Sequence, residues 1–368
     1  MKKINLVYVI KYYYPLKRHS GILNYICELA DSLSKKVNLT VITYRHSSKK
    51  IEKHGNYTII RTGFPFDLTS ALAAKKLNPN IMIFGTGISY LFQLIPYFLL
   101  FKLINLKKPV ILHQHIAFKD KNSLLILILS AFFKKIICSS PYIKNQFSII
   151  KDKAVYIPPG VNIKYLDSIK GQKKGNKTRI GYFGHLNANK GAELLLDAFI
   201  ELNPKNTELI MAGEGPLREK FLEKAKDRKN IKILGYTKEV KSYIKSCDFL
   251  VFPFRTSHKI LGVSQTAIEA VAMSKPLIIT DTPSLRPLLN KNGFIFKNKE
   301  ELKKQIELLI RDRSLAGKMA INSKKIAKSY DIGIITENFL KAVKCQKQQK
   351  IAKRFLLFLS MLKNHFML

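Results

Sequence analysis

Short apolar runs and longer helical segments alternate along the chain. In its first half, seven runs have the length and the Val, Ile and Tyr content of β-strands: INLVYVI, VNLTVITY, YTIIRTG, IMIFG, PVILHQH, KIICSS and AVYIPPG. Helical or continuously apolar segments lie between several of them: GILNYICELADSLSKK, TSALAAKKL, residues 88–106 and SLLILILSAFFKK. This alternation predicts a parallel sheet covered by helices, the α/β class.

A second series of the same kind begins near residue 179. Its predicted strands are RIGYFG, TELIMAG, NIKILG, FLVFPF, PLIITD and GFIF, with helical segments between them. The segment SIKGQKKGNKT, residues 168–178, is polar and basic and has nothing to bury, so we predict a linker there. The chain is then two Rossmann-like domains, 1–167 and 179–330, with C-terminal helices and a basic, apolar tail in 331–368.

Ligands of such sheets bind beyond the carboxyl ends of the strands, so the loops after each strand are the places to search for chemistry. With two facing domains, the cleft between them is the expected site.

The net charge narrows the class of partner. The chain has 64 Lys and Arg against 25 Asp and Glu, a net charge of +39, which attracts anions such as nucleic acid, anionic lipid or nucleotide phosphates. The same lysines are also compatible with an ordinary solvated surface. Four scattered cysteines without metal or disulfide spacing indicate a reducing compartment.

Membrane contact is predicted to be peripheral. No stretch reaches the roughly 20 uncharged apolar residues that a spanning helix needs, and the first apolar run is read as a strand rather than a signal peptide. The tail KQQKIAKRFLLFLSMLKNHFML is basic and then apolar, so it could lie on an anionic membrane. Packing on the first domain, or a frayed end, is the alternative.

The loop after RIGYFG offers a phosphate site. Gly184 ends this strand, and a helix is predicted to begin near Lys190 and Gly191. A helix N-terminus binds phosphate, and a lysine beside it adds a point charge. An ordinary βα turn with a surface lysine is the alternative. After TELIMAG, Gly213 and Gly215 bracket Glu214, which predicts a tight turn or, more sharply, a nucleotide contact.

The segment HKILGVSQTAIEAVAMSKPLIITD contains a lone carboxylate. Gly262 allows an unusual backbone angle, and Ser264 is a plausible N-cap for the following helix. Glu269 lies about one turn into that helix. It is either a carboxylate that complements the helix dipole or a bidentate acceptor for a vicinal diol such as a ribose.

In the first half, Gly21 precedes an amphipathic helix whose N-terminus could face a phosphate. His113 and His115 follow the strand PVIL at positions i and i+2, so their side chains point the same way. No third ligand has convincing spacing, and we predict no metal site.

Taken in order, eight segments resemble those of a known family: PLKRHSGILNYICELADSL, KPVILHQH, VYIPPGVNIKYL, IGYFGHLNANKGAELLLDAF, MAGEGPLREKF, NIKILGYTKEVKSYIKSCDFLVFPF, AIEAVAMSKPLIITD and NGFIF. The chain resembles the GT-B-fold glycosyltransferases of family 4, the retaining, nucleotide-sugar-dependent group with a glycosyltransferase group 1 domain. The resemblance extends to about residue 340 and is densest in the second half.

The resemblance implies roles for individual residues. Lys190 would bind the donor diphosphate, Glu269 the nucleotide ribose, and His115 would lie near the transferred sugar. These three are the predicted catalytic residues. The predicted substrate-binding residues are Gly21, Gly184, His185, Gly213, Glu214, Gly262, Val263, Ser264 and Gln265.

Four positions depart from the family pattern. Leu261 stands where the first Glu of the E-x7-E motif is usual, and Ser264 replaces a glycine three residues later. His185 replaces the usual Arg that accompanies the lysine, and Ser20 replaces the first glycine of the N-terminal pair. The loss of the first Glu removes a carboxylate that usually binds sugar hydroxyls, so the donor sugar is not specified.

The implied reaction is transfer of a hexosyl unit from a UDP- or GDP-sugar to a glycan or lipid-linked acceptor. Positioned cations and helix N-termini stabilise a departing diphosphate without metal, so we expect no cofactor beyond the nucleotide-sugar co-substrate. The expected location is cytoplasmic, including the cytoplasmic face of an anionic membrane.

Two other classes fit part of the sequence. One is a weakly active or inactive GT-B-fold protein that serves as a basic scaffold, which the net charge and Leu261 favour. The other is a different GT-B enzyme, such as a nucleotide-sugar epimerase or a phosphorylase. Nucleic acid is not favoured, because the basic residues are spread along the chain and no binding module is visible.

Overall fold

The computed structural model describes residues 3–13, 21–45, 49–86, 98, 100–101, 103–105, 108–118, 123–173, 175–255 and 263–344. By its internal contacts the chain divides into two compact units, Met1–Pro158 with Thr336–Leu368, and Pro159–Ile335. Each unit is a helix-covered, mainly parallel sheet.

Eight strands form one sheet in the described part of the first unit: β1 (Asn5–Ile10), β2 (Asn38–Tyr44), β3 (Ile51–His54), β4 (Tyr57–Thr62), β5 (Ile81–Thr86), β6 (Val110–Gln114), β7 (Lys135–Cys138) and β8 (Ala154–Tyr156). Their order is β3-β4-β2-β1-β5-β6-β7-β8. Only β3 is antiparallel among these strands, pairing with β4 as a hairpin. The described helices are α1 (Gly21–Ser34), α2 (Phe66–Leu77), α3 (Ser123–Phe132) and α4 (Pro141–Gln146).

The second unit has a six-stranded parallel sheet: β9 (Thr178–Phe183), β10 (Thr207–Ala212), β11 (Ile231–Leu234), β12 (Phe249–Phe252), β13 (Leu277–Thr280) and β14 (Gly293–Phe296). The order is β11-β10-β9-β12-β13-β14. Its helices are α5 (Ile163–Ser168), α6 (Ala192–Leu202), α7 (Arg218–Ala225), α8 (Val240–Ser246), α9 (Gln265–Ala272), α10 (Lys299–Arg311) and α11 (Arg313–Ala327). β9, β10, β12 and β13 are buried along their whole length, which explains their continuous apolar runs.

The α/β class predicted from the alternation of strands and helices is confirmed. All seven strands predicted in the first half and all six in the second are present. The antiparallel β3 and the short helices α4 and α5 are additions that the sequence did not predict. The predicted helical segment 88–106 lies largely outside the described residues.

The segment predicted as a linker is bonded to the second unit. The Arg179 guanidinium donates to the carbonyl oxygens of Gln172 and Lys173 at 3.3 and 3.0 Å, and the Ser242 hydroxyl donates to that of Lys170 at 2.6 Å. The division between the units falls between Pro158 and Pro159, about ten residues before the predicted linker.

The last described helix is α12 (Ile332–Lys344). From Thr336 onward it groups with the first unit, where the hydroxyls of Thr336 and Ser32 lie 2.8 Å apart and Lys36 pairs with Glu337. Residues 345–368, which hold the predicted membrane-binding tail, lie outside the described part. No described helix has the length and apolar character required to cross a membrane.

Candidate functional site

In the second unit, three neighbouring strands end side by side and carry most of the predicted donor-binding residues. β10, β9 and β12 are adjacent and parallel, so the loops that follow them meet at the carboxyl edge of the sheet. Gly184 to Gly191 follow β9, Gly213 to Gly215 follow β10, and Ser264 begins the helix after β12. The structure therefore brings these residues to one edge.

A 3₁₀ turn, Ala188–Lys190, presents Lys190. The Asn187 side chain caps it by accepting the Lys190 N–H at 3.0 Å. Gly191 follows at φ +63°, and a Cβ there would lie 1.7 Å from the carbonyl oxygen of Pro253. Glycine is thus required both for backbone conformation and for space. The helix predicted near Lys190 begins two residues later, at Ala192.

The Lys190 side chain lies over an aromatic ring. Its Nζ is 3.9 Å from the centroid of Phe254, a cation–π contact, and Phe254 is held by a 2.7 Å bond from the Thr280 hydroxyl to its carbonyl oxygen. Burial lowers the pKa of Lys190 to about 8. At neutral pH the ammonium is still mainly charged. Phe254 was missed from the sequence, because nothing in FLVFPF distinguishes a ring under a lysine from a core residue.

The glycines after β10 have a structural reason. Gly213 and Gly215 have φ +152° and +158°, and Cβ atoms there would lie 2.0 and 2.3 Å from the carbonyl oxygens of Gly184 and Leu186. The loops after β9 and β10 are therefore in direct backbone contact. The Glu214 carboxylate accepts the backbone N–H of Tyr236 at 2.7 Å. A tight turn accounts for this motif, and its predicted contact with the donor stays a prediction.

His185 is exposed, and a hydrogen bond to the loop after β10 orients its ring. Its Nδ1 lies 3.1 Å from the carbonyl oxygen of Glu214. A carbonyl only accepts, so Nδ1 carries the proton. A neutral His185 then presents the Nε2 lone pair, and only the protonated ring donates from that atom to an anion.

The helix after β12 begins as predicted. Ser264 is the N-cap of α9, and its hydroxyl accepts the N–H of Ala267 at 3.3 Å. The Gln265 side chain donates to the Gly160 carbonyl oxygen at 3.1 Å, so its amide has a structural partner. Val263 is half-buried, whereas Gly262 and the unusual Leu261 lie outside the described residues.

Glu269 is buried in the second turn of α9, where the helix dipole acts weakly. Its Oε1 lies 3.7 Å from the Nζ of Lys241, and that ammonium lies 4.8 Å from the ring centroid of Tyr165. Glu269 is thus not a first-turn carboxylate, and its contact with the nucleotide ribose stays a prediction. Lys241 was missed, since one lysine among many gives no signal in the sequence.

In the first unit, Gly21 is exposed at the start of α1, and His115 follows β6. The rings of His113 and His115 face the same way, as their spacing predicts, with centroids 4.0 Å apart. Both approach the hydroxyl of Tyr8, which lies 2.8 Å from Nδ1 of His113 and 3.5 Å from Nε2 of His115.

Tyr8 reaches these rings by crossing a neighbouring strand. It lies on β1, His113 lies on β6 and His115 just after it, and β5 runs between β1 and β6. A Cβ at Gly85 of β5 would lie 2.7 Å from the Tyr8 ring, so only glycine leaves room for it. Glycine in β5 is therefore what allows the hydrogen bond.

Burial controls the protonation of this cluster. It lowers the pKa of His115 to about 3 and that of His113 well below its usual range. Both rings are neutral at physiological pH. The Nε2 of His113 and the hydroxyl of Tyr25 are buried without a hydrogen-bond partner. Within the described residues, no group of three His, Cys, Asp or Glu side chains could hold a metal ion.

Two cavities lie elsewhere on the sheets. One of about 300 Å³ is lined in part by Thr178 and Asp248, and one of about 330 Å³ by Asn5 and Asn38. These residues stand at the amino ends of their strands, so neither cavity belongs to the loops described above.

Comparison with known proteins finds a family match within the second unit. Residues 177–312 match the family described as glycosyl transferases group 1. The second unit therefore resembles a glycosyltransferase domain. Over 206 residues, the chain is 32% identical to an uncharacterized glycosyltransferase of Methanocaldococcus jannaschii. The aligned region covers 53% of this chain and 55% of that relative.

Two further relatives extend the glycosyltransferase comparison. Alpha-monoglucosyldiacylglycerol synthase of Acholeplasma laidlawii is 25% identical over 264 residues, 60% of this chain and 65% of that enzyme. The crystal structure of Anabaena Alr3699/HepE in complex with UDP superposes with a TM-score of 0.74 at 16% identity, covering 93% of this chain and 99% of that one. The superposition shows that the chain has the GT-B fold.

Proposed function

We propose that the chain is a retaining glycosyltransferase that moves a hexosyl unit from a nucleotide-diphosphate sugar to a glycan or lipid-linked acceptor. The observation that carries the proposal is the placement of a cation, Lys190, and a carboxylate, Glu269, on the elements that follow the adjacent strands β9 and β12. A UDP-sugar is the favoured donor because Alr3699/HepE was solved with UDP and with UDP-glucose. Assignment to family 4 rests on the motif order.

Lys190 supplies the electrostatic part of the proposed reaction. As the glycosidic bond breaks, negative charge grows on the departing diphosphate, and a positioned cation stabilises it. The capped turn and Gly191 fix the Lys190 backbone, and Phe254 holds the ammonium partly out of water. A charge in such a low-dielectric environment interacts more strongly than one in water.

Glu269 supplies the proposed ribose contact. A carboxylate accepts two hydrogen bonds from a vicinal diol, and Glu269 is held on a rigid helix rather than on a loop. Lys241 at 3.7 Å partly offsets its charge within the unit. We propose that the reaction needs no metal and that the protein acts in the cytoplasm. A lipid-linked acceptor, the class suggested by the name of the Acholeplasma relative, would bring the protein to the membrane face.

The test measures binding of UDP, GDP, UDP-glucose, UDP-galactose and GDP-mannose to the full chain by thermal shift and by calorimetry. A ligand at 100 times its Kd should stabilise the protein by about 2.7 kcal/mol. Glu269→Gln should weaken binding by about tenfold or more, because a hydrogen bond to a charged group is worth about 1.5–3 kcal/mol. Glu223→Gln, on the exposed face of α7, is the matched control. If none of the five ligands binds, the enzyme proposal fails and the scaffold alternative is favoured.

A further inference from the structure

Helix α2 of the first unit has an apolar outer face. Phe66, Ser70, Ala71 and Ala74 are buried on its inner side, where α2 packs on β2 and β4. On the outer side, Leu68 and Leu72 are 37% and 50% exposed at a spacing of four, one above the other on the helix. Phe64, four residues before Leu68, is 87% exposed.

The loop that carries Phe64 is fixed against the first turn of α2. The Thr69 hydroxyl lies 2.9 Å from the carbonyl oxygen of Gly63 and 3.0 Å from that of Pro65, the two neighbours of Phe64. Leu68 and Leu72 on the helix, together with Phe64 in the loop fixed before it, are here called the α2 stripe. Single exposed apolar residues are common on protein surfaces, whereas several grouped in one region are typical of a contact surface.

Basic side chains flank the α2 stripe. Lys75 and Lys76 are exposed in the last turn of α2, and Asp67 is the only acid of the helix. Lys11 approaches the other end, where its charge lowers the pKa of Asp67, against the larger rise that burial causes. Tyr12 is half exposed beside Lys11, whose Nζ lies 5.9 Å from its ring.

We propose that the α2 stripe docks on an anionic lipid bilayer. Phe64, Leu68 and Leu72 enter the boundary between headgroups and acyl chains, while Lys75 and Lys76 contact anionic headgroups. Apolar residues on one face with lysines beside them are the pattern of helices that lie in the membrane interface. Tyr12 suits the headgroup level, where aromatic residues with a polar end are enriched. The net charge of +39 has the complementary sign.

This surface would bring the enzyme to the lipid-linked acceptor of the proposed function, but its test does not depend on turnover. The full chain is sedimented with vesicles of phosphatidylcholine and phosphatidylglycerol at 3:1, and with pure phosphatidylcholine. We expect at least tenfold stronger partitioning to the anionic vesicles. Leu68→Ser/Leu72→Ser should lower this partitioning at least tenfold, and Lys75→Glu/Lys76→Glu should remove most of the preference for anionic lipid.

The matched control is Leu308→Ser/Ile321→Ser, which removes two apolar residues of similar exposure, 42% and 60%, from helices of the second unit. It should bind vesicles as the native chain does. The proposal is overturned if Leu68→Ser/Leu72→Ser binds as strongly as this control, which would assign binding to another segment. It is also overturned if the native chain is a dimer without lipid and the double variant a monomer, since a second copy then covers the stripe.

Discussion

Each unit holds a nitrogen base near the carboxyl edge of its sheet, partly buried in Lys190 and fully buried in His115, and the two bases differ in charge. Burial lowers the pKa of Lys190 from 10.5 to about 8 and that of His115 from 6.5 to about 3. Because lysine starts about four units higher, the same physical effect leaves it mainly cationic at neutral pH while the imidazole is neutral. Of these two bases, Lys190 is therefore the one that carries a positive charge at neutral pH.

The surroundings of the two bases differ in the same sense. Lys190 lies over the face of Phe254, which favours a cation. The His113 and His115 rings share one hydroxyl, that of Tyr8, which can donate to only one of them. We infer that the histidine cluster of the first unit offers a ligand hydrogen bonds of fixed geometry, and that Lys190 of the second unit offers it positive charge.

The largest expected effect comes from removing the partly buried cation, Lys190. Lys190→Ala should lower kcat for release of UDP from the UDP-sugar by about 100- to 1,000-fold, the range seen when one preorganised stabilising group is removed. Lys226→Ala, at an exposed ion pair of the same unit, is the control and should stay within threefold of the native chain. A Lys190→Ala enzyme of nearly native kcat would show that the charge stabilising the leaving group comes from elsewhere.

A smaller effect separates the two tyrosines of the histidine cluster. Tyr8→Phe removes the hydroxyl shared by the two imidazoles and should lower the free energy of unfolding by about 1–2 kcal/mol. Tyr25→Phe removes a buried hydroxyl that has no partner in the structure, so it should be neutral or stabilising. Denaturant titration of the two variants measures the difference. Equal losses would mean that the Tyr8 hydroxyl contributes no more than that of Tyr25.

The last prediction is that His113 and His115 do not become protonated in the range where histidine usually does. The ring resonances of His113 and His115 should keep the positions of neutral imidazole from pH 8 down to pH 5, because burial lowers the pKa of His115 to about 3 and that of His113 well below its usual range. NMR of the protein labelled at histidine measures this, and free histidine in the same sample titrates near 6.5 as the internal standard. Protonation of either ring within the interval would remove the contrast between the two units.

The sequence predicted the strands better than the contacts between them. Each apolar run became a strand because a buried parallel strand is apolar along its length, and the Ser264 cap followed from local chemistry. The exposed and partly polar β3, IEKH, lacks that signal. The six-residue helices α4 and α5 are too short for a clear 3.6-residue period.

Contacts between distant segments were beyond prediction. Tyr8 meets His113 only because Gly85 leaves space on the strand between them, and Phe254 meets Lys190 only because Gly191 packs against Pro253. Such contacts depend on strand order and register, which hydrophobic periodicity does not encode. The sequence explained Gly191 by ligand approach, whereas the structure shows close backbone packing there. For Gly213 and Gly215 it offered a tight turn or a nucleotide contact, and close backbone packing in the structure accounts for both glycines.

The central claim, that the partly buried ammonium of Lys190 binds the donor diphosphate, is tested most directly by the pH dependence of UDP affinity. Calorimetry between pH 7 and 9 compares the native chain with Lys190→Arg, whose side chain stays charged throughout. Any change in the ionisation of UDP over this interval affects both proteins equally. We predict that the native affinity falls by about tenfold between pH 7 and 9, as the Lys190 ammonium, with its pKa of about 8, loses its proton. The affinity of Lys190→Arg should change far less over the same interval. Two superimposable curves would contradict the account.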